Sequence, residues 1–550
     1  MKIGILDLLV DSPRNWINFP YRAVLKKQYA SIAPQAVAVW CRQLGHEVFY
    51  AAYYGQRDPK RMLPDDLDVV FLSTYTQSSA LAYALAKLYR REGARTVIGG
   101  PHAKSFPEDC LRFFDWVVLE CDKALIDDIL KGAFDRNCIV SSGRPLREIP
   151  SVEERMPEIA ASAFAYGRPV WSSVVPLLSS VGCPYTCDFC VDWSNPYLLL
   201  PVDRLEADLL YLSRRWPRVM IAYHDPNFGV KFDQVLSVME RVPAEARNRY
   251  IMESSLSLLK GARLQRLKDT RCVYAAPGVE SWGDYSNKAG VGTSVGRDKL
   301  EQLVEHFEEL GEYVVGLQAN FIFGTDVDRG DEPAELTKEF MRRLPFVWPT
   351  VNIPTPFGST PLYDKCLGEG RILRSMPFSF YYTPYLVTTL ENYHPIEYYE
   401  KLADIYSVMA SGRMMVSRVS TDGPAALRML HLLRSLAMQK FLAAFRRIGN
   451  MLKTDREFRA FHEGRSSRLP DYYRGVYERK LGGYASLLSP AERRPELGQA
   501  SPLPVVPRIP GDGPLARSLE PGSLVAELHG GLAPDSGADG EGVFSTENSA

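Results

Sequence analysis

Three of the nine cysteines, Cys183, Cys187 and Cys190, fall within eight residues, and any fold of the chain must gather them on one segment. The Cys-x3-Cys-x2-Cys spacing lets three thiolates converge on one soft metal centre. A structural zinc site wants four closed ligands, and no fourth cysteine or close histidine completes this one, His224 being a remote candidate. Three thiolates on a four-iron cluster leave one iron free of protein ligands, and an open iron can hold a substrate or cofactor. The other six, Cys41, Cys110, Cys121, Cys138, Cys272 and Cys366, are scattered without a repeated spacing and read as small buried apolar side chains in a reducing compartment.

The motif sits where the second of two strand and helix alternations begins. A chain of 550 residues is too long for one core, so several domains are expected. In residues 1–135, short apolar runs at 2–8, 47–53, 69–74, 96–100 and 116–120 alternate with helical periods at 34–45 and 78–93. That pattern predicts an α/β, doubly wound parallel-sheet (Rossmann-like) domain, whose ligands sit at the carboxyl ends of the strands. Ser73 and Thr74, and Gly99 and Gly100, end two of those strands, where they either meet a ligand or make a tight turn. Residues 136–169, broken by Pro145, Pro150 and Pro157, read as a linker.

Residues 170–378 are long enough for six βα units of roughly 30 residues each, which predicts a partial (β/α)6 barrel. Its strands are expected at 174–179, 219–223, 250–254, 273–279, 320–324 and 350–354, and the cysteine motif follows the first. Residues 379–490 are helical in period. A long helix is expected from Pro424 to about Lys453, and its basic residues either face solvent while it packs on the barrel or touch an anionic membrane surface. From 491 to 550, Gly and Pro make up 17 of 60 residues, a composition expected of a disordered tail. Tyr381, Tyr382 and Tyr385 read either as core or as the wall of a substrate cavity.

With 65 Lys and Arg against 66 Asp and Glu, the net charge of −1 gives no global reason to expect nucleic acid as a partner. No apolar run is long enough for a transmembrane segment, and Met1 to Leu6 runs into a strand-like segment instead of a signal peptide, so the expectation is a cytoplasmic protein.

Cys183, Cys187 and Cys190, with Phe189 as the aromatic in Cys-x-aromatic-Cys, resemble the cluster motif of the radical S-adenosylmethionine (SAM) superfamily. The first domain, with its Gly99-Gly100-Pro101-His102 turn, is similar to the cobalamin-binding domain of one large subgroup, and segments around residues 222–228, 277–281, 320–326 and 355–363 follow in that subgroup's order. The resemblance implies a [4Fe-4S] cluster held by Cys183, Cys187 and Cys190, whose open iron is chelated by the amino and carboxylate groups of SAM. It implies reductive cleavage of SAM to a 5′-deoxyadenosyl radical that abstracts hydrogen from an unactivated carbon. It also implies an electron donor such as flavodoxin or ferredoxin, and a small-molecule or lipid substrate.

Carried over residue by residue, Asp225 stands where the family binds the methionyl amino group, although Tyr223-His224-Asp225 departs from its usual Gly-Gly-Glu. Glu280 and Ser281 are placed for the ribose or methionyl end of SAM, and Gly324 for close approach to the adenine. Many cobalamin proteins carry Asp-x-His-x-x-Gly after the first strand. Here that loop reads Asp11-Ser12-Pro13-Arg14-Asn15-Trp16, so cobalamin is expected without a histidine lower ligand. The function implied first is cobalamin-dependent methylation of an unactivated carbon in a lipid or natural-product intermediate. The alternative is a radical cyclase, C–C coupling or rearrangement enzyme that does not use the first domain for methyl transfer.

Overall fold

The structure, a computed structural model, describes residues 1–12, 22–23, 30–143, 146, 148–165, 167–170, 172–498 and 506–507. Two parallel sheets organise it. The first is built from β1 (Lys2–Leu8), α1 (Ile32–Gln43), β2 (Glu47–Tyr53), β3 (Val69–Thr74), α2 (Ser79–Arg91), β4 (Arg95–Gly99), α3 (Pro101–Ser105), α4 (Pro107–Leu111), β5 (Trp116–Val118), α5 (Lys123–Lys131) and β6 (Cys138–Ser141). Its spatial order is β6-β5-β4-β3-β1-β2.

The chain reverses direction at β1, the topological switch point of a doubly wound sheet. The strands are near-continuous apolar runs because both faces are covered. Ile3, Ile5, Val69, Phe71 and Val97 meet Trp40 of α1 and Leu125 of α5 on one face. Leu6, Leu8, Leu72 and Ile98 meet Leu81 and Leu85 of α2 on the other, in a core continuous with that of the second sheet.

The second sheet comprises β7 (Val174–Leu177), the short hairpin β8 (Ser180–Val181) and β9 (Leu198–Leu199), α7 (Val202–Arg215), β10 (Met220–Tyr223), α8 (Phe232–Arg241), β11 (Tyr250–Ser255), α9 (Ala262–Asp269), β12 (Cys272–Glu280), α10 (Gly296–Gly311), β13 (Gly316–Ile322), α11 (Glu332–Arg343) and β14 (Val347–Asn352), with α6 (Met156–Ala163) preceding it. Strands β7 and β10 to β14 lie in sequence order, all parallel, as the six strands of a partial barrel. Alternation sets its two sides. Leu317, Ala319 and Phe321 of β13 are buried, whereas Gln318 and Asn320, on the opposite face, are half-buried in a polar row. In that row Tyr274 Oη donates to Gln318 Oε1 at 2.9 Å, and Gln318 Nε2 donates to Asn320 Oδ1 at 2.8 Å.

The C-terminal helices are α12 (Pro361–Gly368), α13 (Pro395–Met409), α14 (Gly412–Val419), α15 (Ala425–Thr454), α16 (Arg456–His462) and α17 (Asp471–Leu481). Among the described residues no helix is long and apolar enough to cross a membrane. Arg434 of α15 donates to Tyr274 Oη at 2.6 Å near the start of β12, which fixes the long helix against the amino end of the barrel. Tyr381 is buried against Phe106 and Phe378, and Tyr385 against Phe380 and Tyr473, while Tyr382 lies against Lys480.

The segment expected to be a linker carries structure at both ends. Cys138–Ser141 adds the strand β6, and Arg155, buried before α6, donates to Gln35 Oε1 at 2.8 Å and the Pro150 carbonyl at 3.0 Å. A four-residue strand is too short to show a period, and its neighbour β5 supplies what its sequence lacks. The start of the expected disordered tail is packed too. Lys87 Nζ pairs with Glu492 at 2.7 Å, Arg112 donates to the carbonyls of Ala491 and Arg494, and Glu496 N donates to Asp109 Oδ1 at 2.7 Å. A two-residue strand β15 (Val506–Pro507) pairs in parallel with β6. The rest of 499–550 lies outside the described residues, as do Pro13, Arg14, Asn15 and Trp16.

Candidate active site

The cysteine loop is held by its own hairpin. Gly182 has φ +69°, and a Cβ there would stand 2.2 Å from the Pro196 carbonyl oxygen, so only glycine lets the two limbs approach. Cys183 N donates to the Asn195 carbonyl at 3.1 Å, and Cys190 N to the Cys187 carbonyl at 3.1 Å. Cys183 is buried, and Cys187 and Cys190 are partly open. Burial pushes the Cys187 thiol up and the Cys190 thiol to about 11, and in both cases the ammonium of Lys288 opposes the shift. Metal ligation needs thiolates, and Lys288 is the cation on hand to favour them.

Among the described residues no three His, Cys, Asp or Glu side chains close around a single ion. A cluster that offers a separate iron to each thiolate accepts the wider spread of one eight-residue loop, so the donor set fits a polynuclear iron–sulfur group.

Lys288, in the loop after β12, is central to this site and carries no sequence signal. Burial lowers its pKa, but Cys187, Glu280, Cys190 and Cys183 outweigh that and raise it. Glu280 ends β12 with φ +67°, strained for a residue with a Cβ. Its carboxylate folds back over Gly278, where a Cβ would lie 2.3 Å from Oε1. Burial raises its pKa to about 7 against the pull of Lys288 and Lys299, with Glu253 adding to the rise. Glu253 of β11 is reachable by solvent yet deep enough in the protein for burial to raise its own pKa, opposed by Lys288. These groups describe a polar hollow at the carboxyl end of the barrel. Phe189 lines up with Tyr285 in a stacked pair, centroids 5.6 Å apart.

The remaining expected residues are engaged by protein. Asp225 is buried and takes Ser179 N at 3.0 Å and both the Ser179 and Ser180 hydroxyls, so its carboxylate pins the corner from which the cysteine loop departs. Ser281 Oγ donates to Asp328 Oδ1 at 2.7 Å, and Asp328 Oδ2 accepts from Gly324 N and Thr325 N at 2.9 Å. Asp328, absent from the sequence reading, thus ties the ends of β12 and β13. At Gly324 the close approach is by the ring of Tyr398, which a Cβ would meet at 2.5 Å.

In the first domain, Gly100 has φ +91°, and a Cβ there would stand 3.2 Å from Ser73 Oγ and from the backbone of Thr74. Thr74 is buried with its hydroxyl turned onto the Tyr75 carbonyl at 3.0 Å. Gly99 pairs with Ser73 at the adjoining strand ends. These four residues therefore form one compact corner.

That corner and the cysteine loop meet. Lys104 of α3, four residues past Gly100, donates to Glu120 at 2.8 Å and to Asn195 Oδ1 at 2.7 Å. Ser359 Oγ donates to the Lys104 carbonyl at 3.1 Å, Trp193 Nε1 donates to the Ser359 carbonyl at 2.6 Å, and Leu362 N donates to the Asp188 carbonyl at 3.0 Å. The carboxyl edges of the two sheets face each other across the three cysteines.

The chain is 21% identical over 398 residues, 69% of its length and 85% of the relative's, to Bacteriochlorophyllide d C-8(2)-methyltransferase of Chlorobaculum tepidum. It is 21% identical over 318 residues, 55% of its length and 67% of the relative's, to Bacteriochlorophyllide d C-12(1)-methyltransferase of the same organism. A solved structure of the radical S-adenosylmethionine methyltransferase TsrM from Kitasatospora setae, with cobalamin and a [4Fe-4S] cluster bound, superposes with a TM-score of 0.49 at 15% identity, covering 67% of this chain and 75% of that one. No family model matches the chain.

Proposed function

We propose that this chain, a radical SAM enzyme of the subgroup with an N-terminal cobalamin-binding domain, methylates an unactivated carbon of a lipid or natural-product intermediate. When bound, the [4Fe-4S] cluster, SAM and cobalamin supply hydrogen abstraction and a methyl group. The observation that carries the reading is the meeting of the two sheet edges at Lys104. A methyl donor on the Rossmann edge and a substrate held at the barrel mouth then share one space.

The chain's own part is to hold and to position. Cys183, Cys187 and Cys190 offer three thiolates and leave a fourth position open, and Lys288 balances their charge in a partly buried setting. Glu280 has its pKa near 7, so its carboxyl exchanges a proton close to neutrality and either accepts or donates a hydrogen bond in the hollow. Gln318 and Asn320 extend a polar surface down the barrel for orienting the substrate's heteroatoms. The stacked ring of Tyr285 steadies Phe189 between Cys187 and Cys190. A natural-product substrate is in keeping with relatives named for bacteriochlorophyllide d.

The test is isotopic. Anaerobically reconstituted protein given cobalamin, reductant, SAM with a deuterated methyl group and an extract of small molecules should yield a product heavier by an intact CD3 group. One methyl should enter per 5′-deoxyadenosine, with S-adenosylhomocysteine forming in step. Deoxyadenosine and a changed substrate without homocysteine product would support cyclisation or coupling instead.

A further inference from the structure

The long helix α15 presents an apolar ridge to solvent on the side opposite its buried face. Met429, Leu433 and Leu436 recur at helical spacing and are 55%, 57% and 51% exposed, and Val416 and Val419 of the adjoining α14 are exposed too. Single exposed apolar side chains are ordinary, whereas three in one row on a helix face form a patch. The same two helices and their connection, residues 412–454, hold eight Lys and Arg against the single acid Asp422, in a chain whose net charge is −1; Arg418 is buried against Ser435 and Lys453 pairs with Glu400, which leaves six to carry the excess. The charge is therefore segregated.

A second cationic feature lies at the same end of the barrel. A groove of about 720 Å³ is lined by Arg218, Arg249, Lys268 and Arg271, with Glu312 the only acid among its lining residues. Arg271, Cys272 and Val273 of that groove lead directly into Tyr274, whose hydroxyl accepts from Arg434 of α15. The groove and the basic helix are joined through this bond. All of this is at the amino ends of the strands, away from the cysteine loop.

We propose that this end of the molecule docks on an anionic lipid bilayer, with Met429, Leu433 and Leu436 entering the headgroup boundary and the surrounding cations facing lipid phosphates. An apolar ridge flanked by Lys and Arg is the arrangement of interfacial helices, in which apolar burial and attraction to anionic lipid add. A second copy is disfavoured as the occupant, because two such basic faces would repel each other. Docked in this way, the barrel bottom rests on the lipid and the carboxyl end, with its polar hollow, stays open to the aqueous side. The inference does not depend on which reaction the hollow performs.

Flotation of the full-length protein with phosphatidylcholine vesicles, with and without about 30% phosphatidylglycerol, tests it. Binding is expected only to the anionic vesicles, and it should weaken steeply as salt is raised from about 0.1 M to 0.5 M. The triple variant Met429→Ser, Leu433→Ser, Leu436→Ser should lower the partition at least about tenfold, with an unchanged circular dichroism spectrum. Arg218→Glu, Arg249→Glu and Lys268→Glu together, which leave the helix untouched, should also lower it. Failure of the wild-type chain to bind anionic vesicles overturns the proposal. So does full binding by both variants, or a wild-type dimer that the serine variant converts to monomer.

Discussion

The carbonyl oxygen of Ser105 lies 1.7 Å from where a Cβ on Gly358 would stand, so the Rossmann and barrel edges touch at a point that admits no side chain. Gly358→Ala must push α3 away from the segment that carries Ser359 and, through Trp193, the cysteine loop. We expect product methylation to fall at least about tenfold, because misplacement of about 1 Å between reacting groups costs that much or more. Iron content and SAM cleavage without substrate should stay within about twofold of wild type. Equal losses of cleavage and methylation would mean that the contact serves the cluster instead of the domain pairing.

Cys187 is only half-buried, so cutting its side chain back costs the core little. Cys187→Ala leaves two thiolates for a centre that needs three, so the variant should lose its iron and its SAM cleavage while its melting temperature stays within about 2 °C of the wild-type apoprotein. A full complement of iron and sulfide in the variant would sink the assignment of the cluster.

Asp328 closes the strand ends by accepting from one hydroxyl and two backbone amides. Asp328→Ala leaves those donors without their acceptor in a buried setting, and the cost should be on the order of 2–4 kcal/mol. Asp328→Asn, which keeps one acceptor oxygen, should fall between the two. Calorimetry reads the stability, and a rise in KM for SAM without a matching fall in kcat would locate the effect at the Ser281 and Gly324 strand ends.

His102 is buried beside Tyr83, whose hydroxyl lies 2.6 Å from Nε2 and donates to Asp109, and burial pushes the histidine pKa down to about 3. A depressed pKa means that the stability tied to the neutral ring is complete above the unfolded value near 6.5 and is lost as pH falls towards 3. From pH 7 to pH 5 this one site should remove about 2 kcal/mol. Urea unfolding of His102→Gln at both pH values should show a loss smaller by about that amount. An unchanged difference between the two pH values would show that His102 is already protonated in the fold.

The packed beginning of the C-terminal segment gives a prediction opposite to the one its composition suggests. Ending the chain at residue 490 removes Glu492 from Lys87 and the partners of Arg112 and Asp109, and should lower the melting temperature by several degrees, on the order of 2 kcal/mol. Ending it at residue 510, beyond β15, should leave the melting temperature unchanged. Equal melting temperatures for the two truncations would show that these contacts contribute nothing.

Much of the architecture was legible in sequence because it is local. Strands such as Lys2–Leu8 and helices such as Phe232–Arg241 follow from a period of two or of 3.6 within one segment, and the triad of Cys183, Cys187 and Cys190 lies within eight residues. What spacing cannot carry is the partner from elsewhere in the chain. Lys288 reads as one more surface lysine until the barrel closes and brings it among the cysteines, and Asp328 has no meaning until two strand ends stand side by side.

The same reason accounts for contacts that no single segment shows. Asp225, a candidate for cofactor contact by position, also pins the β7 corner, since a buried carboxylate binds the nearest donors available. Gly324 makes room for Tyr398, a residue 74 positions later, and β6 is a strand only because β5 lies beside it. Sequence alone determined the longer strands and helices and the cluster motif, whose causes are short-range. The tertiary structure alone decided which charges face each other and how the two sheet edges meet, because burial and pairing are properties of space between segments and not of any segment's own period.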